Sequence, residues 1–212
     1  MMAPLVALLL LILVALLVYY IYWRLFIRVS SLSHFRPGMQ LRGKVVSVCD
    51  GDGFEFFHVP WYFNMPCFFH IPSEYDEKST LRVRLAGIDA PETGKPNLGE
   101  PSQHFSSKAK KTLEKLILDK IVKVKLLRKD QYKRILATCY LEGLFITTNV
   151  NTRMVELGMA CMHKGKDAIY DDYKDKLVRL EEKAKELKIG MWSRNDYVSP
   201  MQFKKEMRNR NY

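Results

Sequence analysis

The chain has 212 residues, 48% of them hydrophobic, and a formal net charge of +11 carried wholly by the part after Trp23. Once the first, uncharged stretch is set aside, the remainder is the size of one compact domain rather than several, and its surplus positive charge suits a polyanion such as nucleic acid or an anionic lipid surface. Cys49, Cys67, Cys139 and Cys161 are scattered without the paired spacing of zinc or redox sites, so they read as reduced, structural thiols.

Residues 1–23, MMAPLVALLLLILVALLVYYIYW, contain no charged side chain, and about 20 apolar residues in helical form cross a hydrocarbon core. A cleaved signal peptide is the competing reading, but it would bring a basic leader, a shorter apolar run and a small-residue cleavage site. Tyr19, Tyr20, Tyr22 and Trp23, followed by Arg24 and Arg28, make the aromatic and cationic border expected at lipid headgroups. The expectation is an uncleaved transmembrane anchor, with the domain on the cytosolic side of its membrane. Residues 24–39 are Ser-rich, close on Arg36-Pro37-Gly38, and read as a juxtamembrane linker.

From residue 40 the pattern changes to short β-rich runs. QLRGKVVSV (40–48) and FEFFHV (54–59) are split by CDGDG, a turn sequence that predicts a hairpin with an acidic tip. LRVRLAGI (81–88), IVKVKLL (121–127) and RILATCYL (134–141) complete five strands. Helices are expected over 101–118, started by Pro101 and Ser102 with Phe105, Ala109, Leu113 and Leu116 on one face, and over 149–158, stopped by Gly158. A longer one is expected over 170–190, with Leu177, Leu180, Ala184 and Leu187 inward and Gly190 as its stop. This order predicts an α+β fold: a small five-stranded OB-type β-barrel over 40–193 with three packed helices, preceded by the transmembrane helix. Residues 194–212 read as a solvated basic tail that can add a phosphate contact.

Between the second and third strands lies an aromatic insertion, residues 58–80, containing FFHVP and FFHIP. Two arms of an extended hairpin explain the repeat. A metal site from His58, Cys67 and His70 is an alternative, although a histidine beside aromatics is usually packing. Trp61, Phe63, Phe68 and Phe69 could also touch the bilayer.

Asp52 at the hairpin tip and Asp89 at a strand end are hard oxygen ligands suited to Ca²⁺ or Mg²⁺. Pro91 stiffens the turn so that Asp89 and Glu92 project toward one spot. As isolated motifs, DG and DAPE are ordinary turn and helix-start sequences. Arg84, among Val and Leu, and Arg134, opening the fifth strand, each need an anionic partner, either a structural carboxylate or a phosphodiester.

CDGDG, RLAGIDAPE, DQYKR and the late GMW follow in the order and approximate spacing of the staphylococcal-nuclease-like (thermonuclease) family, which the chain resembles from about residue 40 to 193. The apolar start, FEFFHVP and DQYKR resemble most the fungal membrane-anchored, mitochondrion-associated endonucleases of that family. The resemblance implies that Asp52, Asp89 and the main-chain carbonyl of Ala90 bind Ca²⁺ and that Glu92 orients or deprotonates the attacking water. It also implies that Arg84 and Arg134 clamp the phosphate and that Tyr132 contacts the nucleotide. Gly53 stands where the family usually has Thr, and Lys133 where it usually has Gly.

The reading that follows is a membrane-tethered, Ca²⁺-dependent endonuclease acting on DNA or RNA with little sequence preference, most simply mitochondrial, with the endoplasmic reticulum membrane as the alternative. The competing readings are a non-catalytic OB-type nucleic-acid-binding module and a lipid-surface scaffold, which explains the charge but not the acids.

Overall fold

Alternation of apolar and polar residues sets the inward faces of the strands. In Ile121–Lys129, Val122, Val124 and Leu126 are buried while their neighbours are half-buried, as a strand with one wet face requires. The computed structural model describes residues 2–26, 28–60, 79–94, 99–165 and 168–210. Within these, β1 (Gln40–Val48), β2 (Gly53–His58), β3 (Leu81–Leu85), β5 (Ile121–Lys129) and β6 (Ile135–Glu142) form a sheet in the order β3-β2-β1-β5-β6, closed by a parallel β3–β6 pairing of Val83 with Ile135. This is the expected five-stranded barrel. Phe54, Phe56, Leu85, Leu126 and Ile135 are among its fully buried side chains.

The third expected strand does not run unbroken through residue 88. It stops at Leu85, turns at Ala86-Gly87 with Gly87 at φ 73°, and resumes as the two-residue β4 (Ile88–Asp89). A side chain is strained at that φ, and only glycine adopts it freely. β4 leaves the barrel to pair with β8 (Cys161–Met162), Asp89 facing Cys161. A further short strand, β7 (Thr147–Asn149), pairs with β6.

Five α-helices are present among the described residues. α1 (Met2–Phe26) contains a 19-residue span, Pro4–Tyr22, long and apolar enough to cross a membrane. α2 (Ser106–Ile117) buries Ala109, Leu113 and Ile117, but starts after the expected Pro101-Ser102 signal, with Phe105 at φ 69° before it. The residues between are occupied otherwise: Gln103 exchanges bonds with Glu92, as described below. α3 (Val150–Glu156) is capped by Asn149, whose side chain accepts from Thr152 N–H. Gly158 ends that turn at φ 63°, and a Cβ there would sit 2.2 Å from the Ile189 carbonyl oxygen.

α4 (Lys174–Glu186) buries Leu177 and Ala184 as expected. Leu187 is exposed instead, and the stop falls before Gly190, with Lys188 at φ 50°. The buried position between is Glu181, whose carboxylate accepts from Met162 N–H at 3.0 Å and Lys185 Nζ at 2.8 Å. α4 thereby holds β8, and β8 holds Asp89.

The segments read as a juxtamembrane linker and a basic tail both carry definite structure. The juxtamembrane stretch docks on the barrel: Val29 is buried, its N–H donates to His58 Nδ1 at 2.8 Å, and Leu32, Phe35 and Met39 pack against the core. Residues 200–210 form α5 (Pro200–Arg210), a helix whose side chains are largely exposed or half-buried. Residues 61–78 of the aromatic insertion, with Cys67 and His70, lie outside the described residues. His58 itself is a packing residue with its Nδ1 already in use.

Candidate active site

Close approach brings the acidic hairpin tip to the Asp89 turn. Gly51 is buried, and a Cβ there would lie 2.5 Å from Ala90 Cβ and 2.9 Å from Ala109 Cβ, so only glycine lets the tip pack between that turn and α2. Asp52 is then pinned from both sides: its carbonyl accepts from Leu85 N–H at 2.8 Å, and its Oδ2 from Ala90 N–H at 3.3 Å. Gly53 is the next glycine of this tip. A Cβ there would meet Asp50 Oδ1 at 2.8 Å, the oxygen that accepts from Asp52 N–H.

Asp52 and Asp89 meet on one guanidinium. Arg84 Nη2 donates to Asp52 Oδ2 at 3.2 Å and to Asp89 Oδ1 in a shorter contact. All three side chains are largely shielded from water. Burial, opposed by Arg84 and reinforced by Asp50, Asp89 and Glu92, pushes the Asp52 carboxyl up to about 7. Asp52 beside it, with the further acids, raises Arg84 above its ordinary value, so the guanidinium is the fixed cation of the cluster.

Glu92 lies beyond Pro91, and its partners differ from those of Asp89. Its backbone is locked to Gln103, Glu92 N–H to Gln103 Oε1 at 3.0 Å and Gln103 N–H to the Glu92 carbonyl at 2.9 Å. Its carboxylate meets Lys204 Nζ of α5 at 2.7 Å. Gln103 Nε2 also donates to the Val198 carbonyl at 2.6 Å, tying the approach to α5 to the Glu92 turn. Burial raises the Glu92 carboxyl and Lys204 opposes the rise. The two acids thus face different neighbours, and the electrostatic reach of Glu92 to Asp89 and Arg84 is what joins them.

Arg134 and Tyr132 stand on the β5–β6 turn. Asp130 organises this turn: its Oδ1 accepts from Tyr132 N–H and Arg134 N–H, both at 2.8 Å, and its Oδ2 from Arg134 Nε at 2.7 Å. The Arg134 guanidinium carbon lies 5.3 Å from the centre of the Tyr132 ring, which is 68% exposed. Lys133 between them is at φ 61°, the conformation that glycine would take without strain. Arg84, Arg128, Arg134, Tyr132 and His163 share the lining of one cleft of about 440 Å³. Asp130 is on that lining, whereas Asp52, Asp89 and Glu92 are not, and Arg84 is what links the two aspartates to the cleft.

The donors that could hold a cation are hard: the Asp52 and Asp89 carboxylates and, as the resemblance implies, the Ala90 carbonyl. They fit Ca²⁺ or Mg²⁺ in kind. Among the described residues no three His, Cys, Asp or Glu side chains converge as a metal-binding group, so such an ion would keep several waters, as Mg²⁺ and many Ca²⁺ sites do.

Three residues of this neighbourhood escaped the sequence reading. His163 Nδ1 contacts Asp89 Oδ2, its N–H donates to the Gly87 carbonyl at 3.0 Å, and its own carbonyl accepts from the Tyr170 hydroxyl. Gln103 and Lys204 are the others. All three reach the site through contacts across many residues of sequence, and none belongs to a local motif. A lone histidine three residues after the GMA that follows α3 was the only visible signal for His163.

Residues 82–194 match the family described as Staphylococcal nuclease homologue. The chain is 34% identical over 196 residues to the probable endonuclease lcl3 of Botryotinia fuckeliana, covering 86% of this chain and 73% of that protein. It is 36% identical over 170 residues to Endonuclease Htp3 of Saprolegnia parasitica, covering 80% and 78% respectively. With the barrel, the paired aspartates and these likenesses together, the chain belongs to the staphylococcal nuclease homologue family.

Proposed function

We propose that this nuclease is a divalent-cation-dependent endonuclease that hydrolyses phosphodiester bonds of DNA or RNA with little sequence preference, tethered to a membrane by α1. The observation that carries the reading is the meeting of Asp52 and Asp89, from separate loops, on Arg84 at the back of a cleft that Arg134 and Tyr132 also line. A purely structural ion pair would not need two acids, and a simple binding groove would not need acids behind its arginine.

Asp52, Asp89 and the Ala90 carbonyl would hold Ca²⁺ or Mg²⁺. When bound, the ion supplies positive charge to the non-bridging oxygens of the phosphate. Arg84 and Arg134 offer planar, paired donors to the same phosphate, and their hold strengthens as negative charge builds on the equatorial oxygens. Glu92 accepts the proton of the attacking water. Its raised carboxyl makes it a better base than an exposed glutamate, and its lock on Gln103 fixes its direction. Water oxygen bonds to phosphorus, the bond to the leaving oxygen breaks, and the leaving oxygen takes a proton from solvent. Tyr132, exposed beside Arg134, offers a face for a base or sugar. A mitochondrial membrane is our assignment for α1, in line with the resemblance that the sequence carries, with the endoplasmic reticulum membrane as the alternative.

Cleavage of single-stranded DNA, duplex DNA and RNA by the full chain, with Ca²⁺, Mg²⁺ or chelator, tests this. Cation-dependent cleavage is expected, lost on Glu92→Gln and Arg84→Ala by at least about a hundredfold. Cleavage unchanged in either variant would overturn the assignment, and tight binding without cleavage would establish a binding module instead.

A further inference from the structure

The β6–β7 hairpin ends in a turn of unusual chemistry for a water-facing loop. Its arms are paired rung by rung, Tyr140 with Asn149, Leu141 with Thr148 and Glu142 with Thr147, and Gly143 N–H closes the turn on the Ile146 carbonyl at 3.0 Å. At the tip, Leu144, Phe145 and Ile146 are 96%, 95% and 74% exposed. Hairpin turns in water favour Asn, Asp and Gly. After α1, the other large hydrophobic side chains exposed among the described residues are isolated in sequence, Tyr132, Leu187 and Met201. Three adjacent apolar side chains held out on a braced hairpin form a contact surface.

We propose that this turn is a second membrane-contacting element, seated in the headgroup and acyl boundary of the bilayer that α1 spans. The proposal rests on the reading of α1 as an anchor. Three contacts lead from the end of that anchor to the turn. Val29, three residues past α1, donates to His58; the adjacent Val59 N–H donates to the Arg42 carbonyl at 2.9 Å; and Arg42 Nε pairs with Glu142 at 3.3 Å, the last residue of β6 before the turn. The turn therefore lies within reach of the membrane to which α1 fastens the chain. Lys123 also pairs with Glu142, at 3.0 Å, so cations flank the base of an apolar tip, the arrangement that suits anionic headgroups above acyl chains. Arg134, just before β6, lies eight residues before Glu142 at the other end of that strand, roughly 27 Å at extended-strand rise, so a seated turn stands well away from that part of the cleft.

The experiment reconstitutes the full chain, with and without Phe145→Trp, in vesicles of phosphatidylcholine and phosphatidylserine. The emission added by the new tryptophan is expected to shift to the blue, to lose most of its intensity to brominated lipid and to resist aqueous iodide. Carbonate washing of the same vesicles reports on α1 separately. A chain retained by the vesicles whose added tryptophan is quenched by iodide and not by brominated lipid overturns the proposal and leaves the anchor standing. A chain released by carbonate overturns the anchor and the proposal together. Shielding from both quenchers, with cross-links between copies at this turn, overturns it in favour of self-association.

Discussion

At Lys133 an L-residue holds a left-handed backbone, φ 61°, in the turn that presents Arg134. That conformation costs about 1 kcal/mol, and glycine avoids the cost while losing some entropy on folding. Lys133→Gly is therefore expected to raise stability by about 0.5 kcal/mol, read from the urea midpoint, with cleavage retained because Asp130 still fixes the turn. Lys204 acts one step from the chemistry. It touches Glu92, and Gln103 binds the segment that leads into its helix. Lys204→Met should lower kcat about tenfold through misdirection of the carboxylate, with KM for the substrate unchanged and Lys204→Arg restoring the rate. An equal loss in KM would mean that Lys204 binds substrate directly.

Among the elements, the juxtamembrane segment depends on a neutral imidazole. His58 accepts the Val29 N–H at Nδ1, and burial, with Arg28 nearby, lowers its pKa from 6.5 to about 4. In the folded chain the ring stays neutral where the unfolded chain already takes up a proton. The stabilisation is whole above pH 6.5 and is lost as pH falls toward about 4, an effect of up to about 3 kcal/mol. Thermal unfolding of the full chain in detergent should show a steep acid limb in this window, flattened by His58→Gln, which keeps an acceptor without a titrating ring. The same segment marks where sequence reading stopped. The barrel strands were legible because burial alternates with a period of two, and α4 because Leu177 and Ala184 repeat at helical spacing. Val29, β4, β8 and α5 were not, since each is placed by partners dozens of residues away: His58 for Val29, Cys161 for Asp89, Glu92 for Lys204. The site followed the same rule. Asp52, Arg84 and Asp89 stood out in short motifs, while His163 and Gln103 enter only through the tertiary fold.

For the molecule as a whole, the excess of 34 Lys and Arg over 23 Asp and Glu is directed outward by the way the acids are used. Asp52 and Asp89 face Arg84, Asp130 faces Arg134, Glu142 joins Arg42 to Lys123, Asp171 meets Lys125 and buried Glu181 holds Lys185. Acids engaged in such pairs repel a phosphate backbone less than free ones would, and the cleft carries Arg84, Arg128, Lys129 and Arg134 against one acid, Asp130, itself paired with Arg134. Binding to such a surface releases counterions, so affinity should fall steeply as salt rises. Glu92→Gln allows this to be measured without cleavage, because it removes the base and keeps every cleft cation. On that background, the logarithm of the affinity for a short single strand is expected to fall linearly with the logarithm of salt concentration. Adding Arg134→Ala should make the slope shallower by about one phosphate contact, and Lys188→Ala, just past α4 and absent from the cleft lining, should leave it unchanged. Equal slopes for all three proteins would remove Arg134 from the phosphate and place the substrate on another face of the barrel.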